Sequence, residues 1–236
     1  MDSATWERFV RLRTSCSGGI FYTSQAALSP VDRRGNVLVA GHTMGDLDGH
    51  GNAGGKDIFL AMFDKTGDWK WTQQHGGTGD DEAMAMKLDS LGNILIAGET
   101  TSSLDGCVHA GSSDMFLMKF AEDGQWQWTQ QRGTPRFDAA WALEIDDFDR
   151  SVVAGYSGGA LDGNQHAGSS DIFVMVFDRS GDWLWTHQRG SEHWDYVRAM
   201  QLSGPDVILV GSTQGSLDNA SFHGGEDIFV MKLHSD

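Results

Sequence analysis

The stretch Asp-Ile-Phe-Leu-Ala-Met-Phe at residues 57–63 recurs in similar form at residues 114–120, 171–177 and 227–233. The steps between its first residues are 57, 57 and 56. A glycine that stands at positions 41, 98, 155 and 211 keeps the same steps. Self-similarity at such a period is typical of propellers, solenoids and other repeat architectures. The repeat therefore decides the fold class before any local pattern is considered.

Each copy contains four short apolar runs with turn signals between them. In the second copy the runs are residues 81–89, 94–100, 114–120 and 126–133. Runs of this length are typical of strands and too short for most helices. The second and third runs are apolar on both faces, which predicts strands that are covered on both sides. Four antiparallel strands per unit, repeated around a ring, predict the blades of a β-propeller.

The first and fourth runs indicate which strand lies at the inner edge of a blade. The first run carries small residues such as Ala83 and Ala85, which let neighbouring backbones approach closely. The fourth run carries a Trp-x-Trp pair, at 69/71, 126/128 and 183/185. We therefore expect the first run near the axis and the fourth at the wide outer edge, with at least one Trp of each pair in the core.

The last copy stops after its third run, and the N-terminus contains a candidate for the missing strand. Residues 9–14 form a mostly alternating run before Gly18 and Gly19. A strand placed there would complete the last blade and remove an exposed edge. We predict one all-β domain, residues 1–236, with four blades of four antiparallel strands closed by the N-terminal strand. The repeats are predicted at about 24–77, 78–134, 135–191 and 192–236, the last completed by 6–19; a linear β solenoid is the alternative.

Composition restricts the partners of the chain. It has 236 residues, with 17 Lys and Arg against 33 Asp and Glu, for a formal net charge of −16. Such a surface repels nucleic acid and anionic membranes, so we expect neither as a partner. The sequence has no apolar run long enough to span a membrane, and residues 1–20 lack the apolar core of a signal peptide. We therefore expect a soluble chain without membrane insertion, whose compartment the sequence does not indicate.

The repeat resembles a known family. The stretch Gly35-Asn36-Val37-Leu38-Val39-Ala40-Gly41-His42-Thr43, followed by Asp-x-Phe and a turn ending in Gly, is similar to the bacterial-type β-propeller repeat called SBBP. The resemblance covers about residues 24–236 and recurs four times. It implies a propeller, and members of the family are mostly binding or surface modules.

The loop at residues 46–57 is the best candidate for a metal site. Asp46, Asp48, Asn52 and Asp57 alternate with glycines in a way that resembles the first half of a calcium loop. The bidentate Glu that completes an EF-hand is missing, because the twelfth position is Asp57. We favour a β-turn in which Asp and Gly have conformational roles. Calcium bound by these four residues is the alternative, and we expect no required cofactor.

Residues that depart from the repeat are better candidates for binding than residues that keep it. Six of them cluster at equivalent joints after the fourth runs of the second and third copies. They are Arg136, Phe137, Trp141, His193, Trp194 and Tyr196. Exposed aromatic rings beside arginine are typical of interface hot spots. We predict that this surface binds a protein partner.

The sequence favours binding over catalysis. A catalytic site needs one asymmetric constellation, whereas this chain consists of copies, and no Ser-His-Asp, Cys-His or phosphate-loop motif stands in a suitable context. The leading prediction is a non-catalytic scaffold or protein–protein interaction module, a subunit of a larger complex. The alternative is a calcium-supported glycan-binding propeller, in which the Trp pairs would be sugar platforms.

Overall fold

The structure is a computed structural model, which describes residues 26–27, 30–218 and 220–234. Within those residues it consists of β-strands joined by turns and loops, without a helix. The fifteen strands are β1 (Ala26–Ala27), β2 (Val37–Thr43), β3 (Asp57–Phe63), β4 (Trp69–His75), β5 (Asp81–Leu88), β6 (Ile94–Thr100), β7 (Asp114–Phe120), β8 (Trp126–Arg132), β9 (Asp138–Ile145), β10 (Ser151–Ser157), β11 (Asp171–Phe177), β12 (Trp183–Arg189), β13 (Asp195–Ser203), β14 (Asp206–Thr213) and β15 (Asp227–His234).

The strands form four antiparallel sheets that follow the repeat. The first sheet is β1–β4, the second β5–β8, the third β9–β12 and the fourth β13–β15, and neighbours along the chain pair in every sheet. The prediction of an all-β chain with one antiparallel sheet per copy is confirmed. The sheets pack face to face in chain order, through three apolar clusters that each join one sheet to the next.

The first and fourth strands form opposite edges of the first three sheets, and their places near an axis and at an outer rim stay predictions. Strand β5 lies against β9, and β9 lies against β13, so the first strands of successive sheets meet at the crowded edge. Small buried residues such as Ala83 and Ala140 lie on these strands. The second Trp of each pair packs against an apolar cluster, as expected; these residues are Trp71, Trp128 and Trp185.

A β-bulge explains why one glycine marks the period of the repeat. In the third sheet the pairing of β9 with β10 shifts at Gly155, which leaves Trp141 as an extra residue. A β-carbon at Gly155 would overlap the carbonyl oxygen of Ala139. A β-carbon at Gly98 or at Gly211 would likewise overlap the equivalent carbonyl oxygen in the second or the fourth sheet. Only glycine allows the bulged inner strand to approach this closely.

Buried aspartates hold the joints between sheets. Asp138 begins β9, where its carboxylate accepts hydrogen bonds from the backbone N–H and the hydroxyl of Thr134 and from the hydroxyl of Ser157. Asp195 has the same role at the start of β13, with Ser191 and Thr213. Carboxyl groups at these positions thus accept hydrogen bonds from the turn that precedes their strand.

The described residues do not show a closed ring. The predicted closing strand, residues 6–19, lies outside the described residues. The fourth sheet therefore has three described strands, and Ile228 and Val230 on its outward face are exposed. In the three preceding sheets the same face is covered by the next sheet. Closure by the N-terminal strand stays a prediction.

Candidate functional site

The predicted joint residues lie where the loop of one sheet meets the start of the next. Phe137 and Trp194 directly precede β9 and β13. Their backbones form parallel bridges to Ser113 and Ser170 of the preceding sheet. The N–H of Asp138 also donates to the carbonyl of Ser113 at 2.9 Å. These backbone bonds hold the two ring-bearing residues on the same end of neighbouring sheets.

Three rings form a nearly parallel row across the joint between the third and fourth sheets. The ring centroids of Phe137 and Trp194 are 5.5 Å apart, with planes at 15°. Those of Trp194 and Tyr196 are 5.9 Å apart, with planes at 13°. Tyr156 meets Tyr196 edge to face at 5.0 Å, and Trp141 stacks on Tyr156 at 6.2 Å. We call these five residues the aromatic joint.

A guanidinium group lies over the aromatic joint. Arg198 is the bulged residue of β13, equivalent to Trp141 of β9. Its guanidinium carbon is 5.3 Å from the ring centroid of Tyr196 and 5.9 Å from that of Trp141. Contacts between a guanidinium and aromatic faces are attractive, because the ring face is electron-rich. Arg198 is nevertheless exposed, so the charge is accessible to a partner.

The structure brings together four of the six predicted binding residues and places the other two beside them. Phe137, Trp141, Trp194 and Tyr196 belong to the aromatic joint. Arg136 and His193 are exposed neighbours of Phe137 and Trp194 in the chain. Their carbonyl groups accept hydrogen bonds from Ser112 and Ser169, at 3.0 and 3.1 Å. Neither side chain forms a ring contact with the row among the described residues.

Burial raises the pKa of both phenols in the aromatic joint. It raises the pKa of the Tyr156 phenol, and the charge of Glu99 raises that pKa further. Burial likewise raises the pKa of Tyr196 and, close by, the pKa of Glu99 itself. Both phenols are therefore O–H donors at neutral pH.

Two residues of this surface, Tyr156 and Arg198, are not among the six binding residues predicted from the sequence. The repeat contains the signal for both. Tyr156 stands where the first two copies have His42 and Glu99, and Arg198 stands where the second copy has Met84. The same rule that identified Phe137, which is to look for departures from the repeat, would have found them.

The candidate calcium loop forms the turn that was favoured. The N–H of His50 donates to the carbonyl of Leu47 at 3.1 Å, and Asp48 and Gly49 have φ angles of 53° and 84°. This is a tight turn whose two central residues have positive φ. Asp105, Asp162 and Asp218 repeat the positive φ in the other copies. Asp48 therefore has a conformational role.

The other three candidate ligands are engaged within the loop. Asp46 accepts a hydrogen bond from the N–H of Gly51 at 3.0 Å. Asn52 binds the backbone of residues 54 and 55. Asp57 is buried and accepts from the N–H of Ala53 and the amide of Gln74. Among the described residues, no three His, Cys, Asp or Glu side chains converge to hold a metal ion.

The glycan alternative requires free ring faces on the first Trp of each Trp-x-Trp pair. Neighbouring side chains contact several of these rings. Trp126 stacks on His75 of the preceding sheet at 5.8 Å. Arg132 lies over the ring of Trp183 at 4.7 Å. Each indole N–H of this series donates to a threonine hydroxyl three residues later, at 2.9 Å. These rings therefore have structural roles at the outer edges of the sheets.

Comparisons with known proteins give partial matches. No family model matches the chain. It is 34% identical over 97 residues to the regulatory protein FlaEY of Caulobacter vibrioides, covering 38% of this chain and 10% of that protein. It is 20% identical over 167 residues to an uncharacterized WD repeat-containing protein of Acanthamoeba polyphaga mimivirus, covering 59% of this chain and 12% of that protein. The chain thus spans only about a tenth of the length of these relatives.

Among solved structures, the fold is similar to a protein of unknown function from Bacteroides caccae. The TM-score is 0.47 at 11% identity, and the match covers 89% of this chain and 64% of that one. In the part of the chain that the structure describes, no helix has the length and apolar character needed to cross a membrane.

Proposed function

We propose that this chain is a non-catalytic protein–protein interaction module, a scaffold within a larger complex. The observation that carries the proposal is the aromatic joint. Its rings cross from the third sheet to the fourth and lie partly exposed beside Arg136 and Arg198. Trp, Tyr and Arg are the residues most enriched at interface hot spots.

The rigidity of the aromatic joint supports the proposal. The backbones of Phe137 and Trp194 are bonded to the preceding sheet on one side. On the other side, the carbonyl groups of Phe137 and Trp194 accept hydrogen bonds from the N–H groups of Gly158 and Gln214, both at 2.8 Å. A surface that is ordered before binding loses little conformational entropy when a partner docks.

The relatives agree with this proposal. One is named a regulatory protein and the other a WD repeat-containing protein, and neither name states a catalytic activity. We further propose that the four sheets are propeller blades of the SBBP type. One sheet per repeat and inner strands that meet edge to edge support this arrangement.

The test is affinity capture with a paired control. A Phe137→Ala, Trp194→Ala double variant should lose captured partners from the source cell extract while keeping its melting curve. The matched control is Leu91→Ala, Phe148→Ala, because these exposed side chains lie on turns at the other end of the sheets. For an identified partner, the double variant should weaken binding by about 2–4 kcal/mol. If the Phe137→Ala, Trp194→Ala variant captures as much partner as the control variant does, the aromatic joint is not the interface.

A further inference from the structure

Among the described residues, the arginines at the aromatic joint have no carboxylate partner. Elsewhere in the described residues most Lys and Arg side chains form ion pairs, such as Arg34 with Glu122 and Lys87 with Glu144. Within the described part of the chain, no carboxylate oxygen lies within 4.0 Å of a guanidinium nitrogen of Arg136 or Arg198, which is the distance limit for an ion pair. In a protein with a net charge of −16, two exposed and unpaired guanidinium groups beside one row of rings form an unusual surface.

The position of Arg198 is set by the fold. Arg198 is the bulged residue of β13, the extra residue between Val197 and Ala199, and a bulge changes the direction of the strand at that point. The guanidinium lies over the rings of Tyr196 and Trp141, and its N–H groups have no hydrogen-bond acceptor among the described residues. A guanidinium held in this way offers two parallel N–H donors that match a carboxylate.

Two neutral phenols stand beside the guanidinium. The charge of Arg198 lowers the pKa of Tyr156 and Tyr196, although burial outweighs it and both remain raised. The guanidinium carbon of Arg198 lies 5.3 Å from the ring centroid of Tyr196, and the ring of Tyr156 meets that of Tyr196 at 5.0 Å. The surface therefore combines a fixed cation, O–H donors and apolar rings.

We propose, resting on the interaction function above, that the aromatic joint binds a partner segment in which a carboxylate lies next to an aromatic or other apolar side chain. The carboxylate binds the guanidinium of Arg198, and the apolar side chain packs on the row formed by Phe137, Trp194 and Tyr196. Arg136, the exposed neighbour of Phe137 in the chain, provides a cation for a second carboxylate of the segment.

Acidic groups near the site limit the form of the ligand. Glu226 is exposed and its charge reaches Tyr196, and Glu99 lies close to Tyr156. Together with the net charge, they repel an extended acidic tract. A ligand with one or two carboxylates beside a ring is compatible, because charges more than about 8 Å away are screened at physiological salt.

The experiment uses three blocked pentapeptides, Gly-Asp-Phe-Asp-Gly, Gly-Asn-Phe-Asn-Gly and Gly-Lys-Phe-Lys-Gly, titrated into the intact protein. Binding is followed by calorimetry and by the indole N–H signals in NMR spectra. We expect the Asp peptide to bind at least tenfold more tightly than the Asn peptide. Arg198→Ala should weaken Asp-peptide binding at least tenfold, and Arg198→Lys should restore only part of it. Arg179→Ala is the control, because Arg179 is an exposed arginine on a turn at the other end of the sheets.

Three results would overturn the proposal: tighter binding of the Lys peptide, equal binding of the Asp and Asn peptides, or no binding of the Asp peptide at millimolar concentration. The outcome is separable from that of the proposed function. If Phe137→Ala, Trp194→Ala abolishes capture of the partner while Arg198→Ala does not, the surface is an interface that does not recognise a carboxylate. If neither variant affects capture, the interaction function itself fails at this surface.

Discussion

Ile172 and Ile228 occupy the same position of the repeat, yet Ile172 is 2% exposed and Ile228 is 83% exposed. The difference comes from the neighbours of the two residues. Ile172 is covered by the fourth sheet, in a cluster that includes Val197 and Leu209. Ile228 lies on the outward face of that fourth sheet, where no described sheet covers it.

This pair gives a direct test of the open face. We expect Ile172→Ala to lower the free energy of unfolding by about 2–5 kcal/mol, because it leaves a cavity in a packed core. If the outward face of the fourth sheet is open in solution, Ile228→Ala should change it by less than about 0.5 kcal/mol, as is usual for exposed positions. Denaturant unfolding of both variants is the measurement. A large loss for Ile228→Ala would mean that its face is covered in solution.

The repeated glycine of the β-bulge should tolerate no side chain. Gly155→Ala would place a β-carbon against the carbonyl of Ala139, and we expect a loss of about 2–4 kcal/mol in the free energy of unfolding. Gly163→Ala is the comparison, since Gly163 has a φ of 80° but nothing within 4 Å of the added carbon. That variant should lose only about 1 kcal/mol. Equal losses would show that the close approach is unimportant.

Buried carboxyl groups should make stability fall as pH rises above acidic values. Burial raises the pKa of Asp138 and Asp195 above 3.8, and the carboxylates of Asp114 and Asp171 raise it further. The folded state therefore binds these protons more tightly than the unfolded state does. Their contribution to stability is complete below pH 3.8 and is lost as the pH rises through the folded-state pKa.

The measurement is the free energy of unfolding at a series of pH values. Asp138→Asn and Asp195→Asn each remove one titrating proton. Each variant should therefore reduce the decrease of the unfolding free energy with rising pH by up to about 1.4 kcal/mol per pH unit. Asp147→Asn, at an exposed turn residue, is the control. If both buried variants show the same dependence of unfolding free energy on pH as the wild type, these carboxyl groups do not titrate in the pH range measured.

Calcium should not stabilise the loop at residues 46–57. Its carboxylates at Asp46 and Asp57 already accept backbone N–H bonds, and Asp48 serves the turn. A ligand that binds only the folded state must raise the melting temperature. We therefore expect no binding heat and no shift at millimolar calcium. A shift that disappears in Asp46→Asn would restore the metal-site alternative.

Deletion of residues 1–19 tests the predicted closing strand, which lies outside the described residues. If the segment at residues 9–14 pairs with the last sheet, its loss exposes a strand edge. We expect a lower melting temperature or aggregation of the truncated chain. A monomeric deletion variant with the melting temperature of the full chain would exclude this closure.

The sequence by itself determined the sheets and their order. Alternating and doubly apolar runs at a fixed period encode strand length, pairing of neighbours and burial of both faces, since these depend on contacts within one repeat or between successive repeats. It also identified Phe137 and Trp194, because departures from a repeat are visible without a structure. The close contact between the strand with Ala83 and the first strand of the next sheet follows from small side chains.

Only the tertiary structure decided which residues of different sheets meet. The stacking of Phe137 on Trp194 and the placement of Arg198 over Trp141 depend on the angle between sheets and on a bulge, and neither has a period in the sequence. The same holds for Ile228, whose sequence context predicts burial like that of Ile172. Burial is decided by what packs on a face, and that neighbour lies outside the repeat unit that the sequence pattern describes.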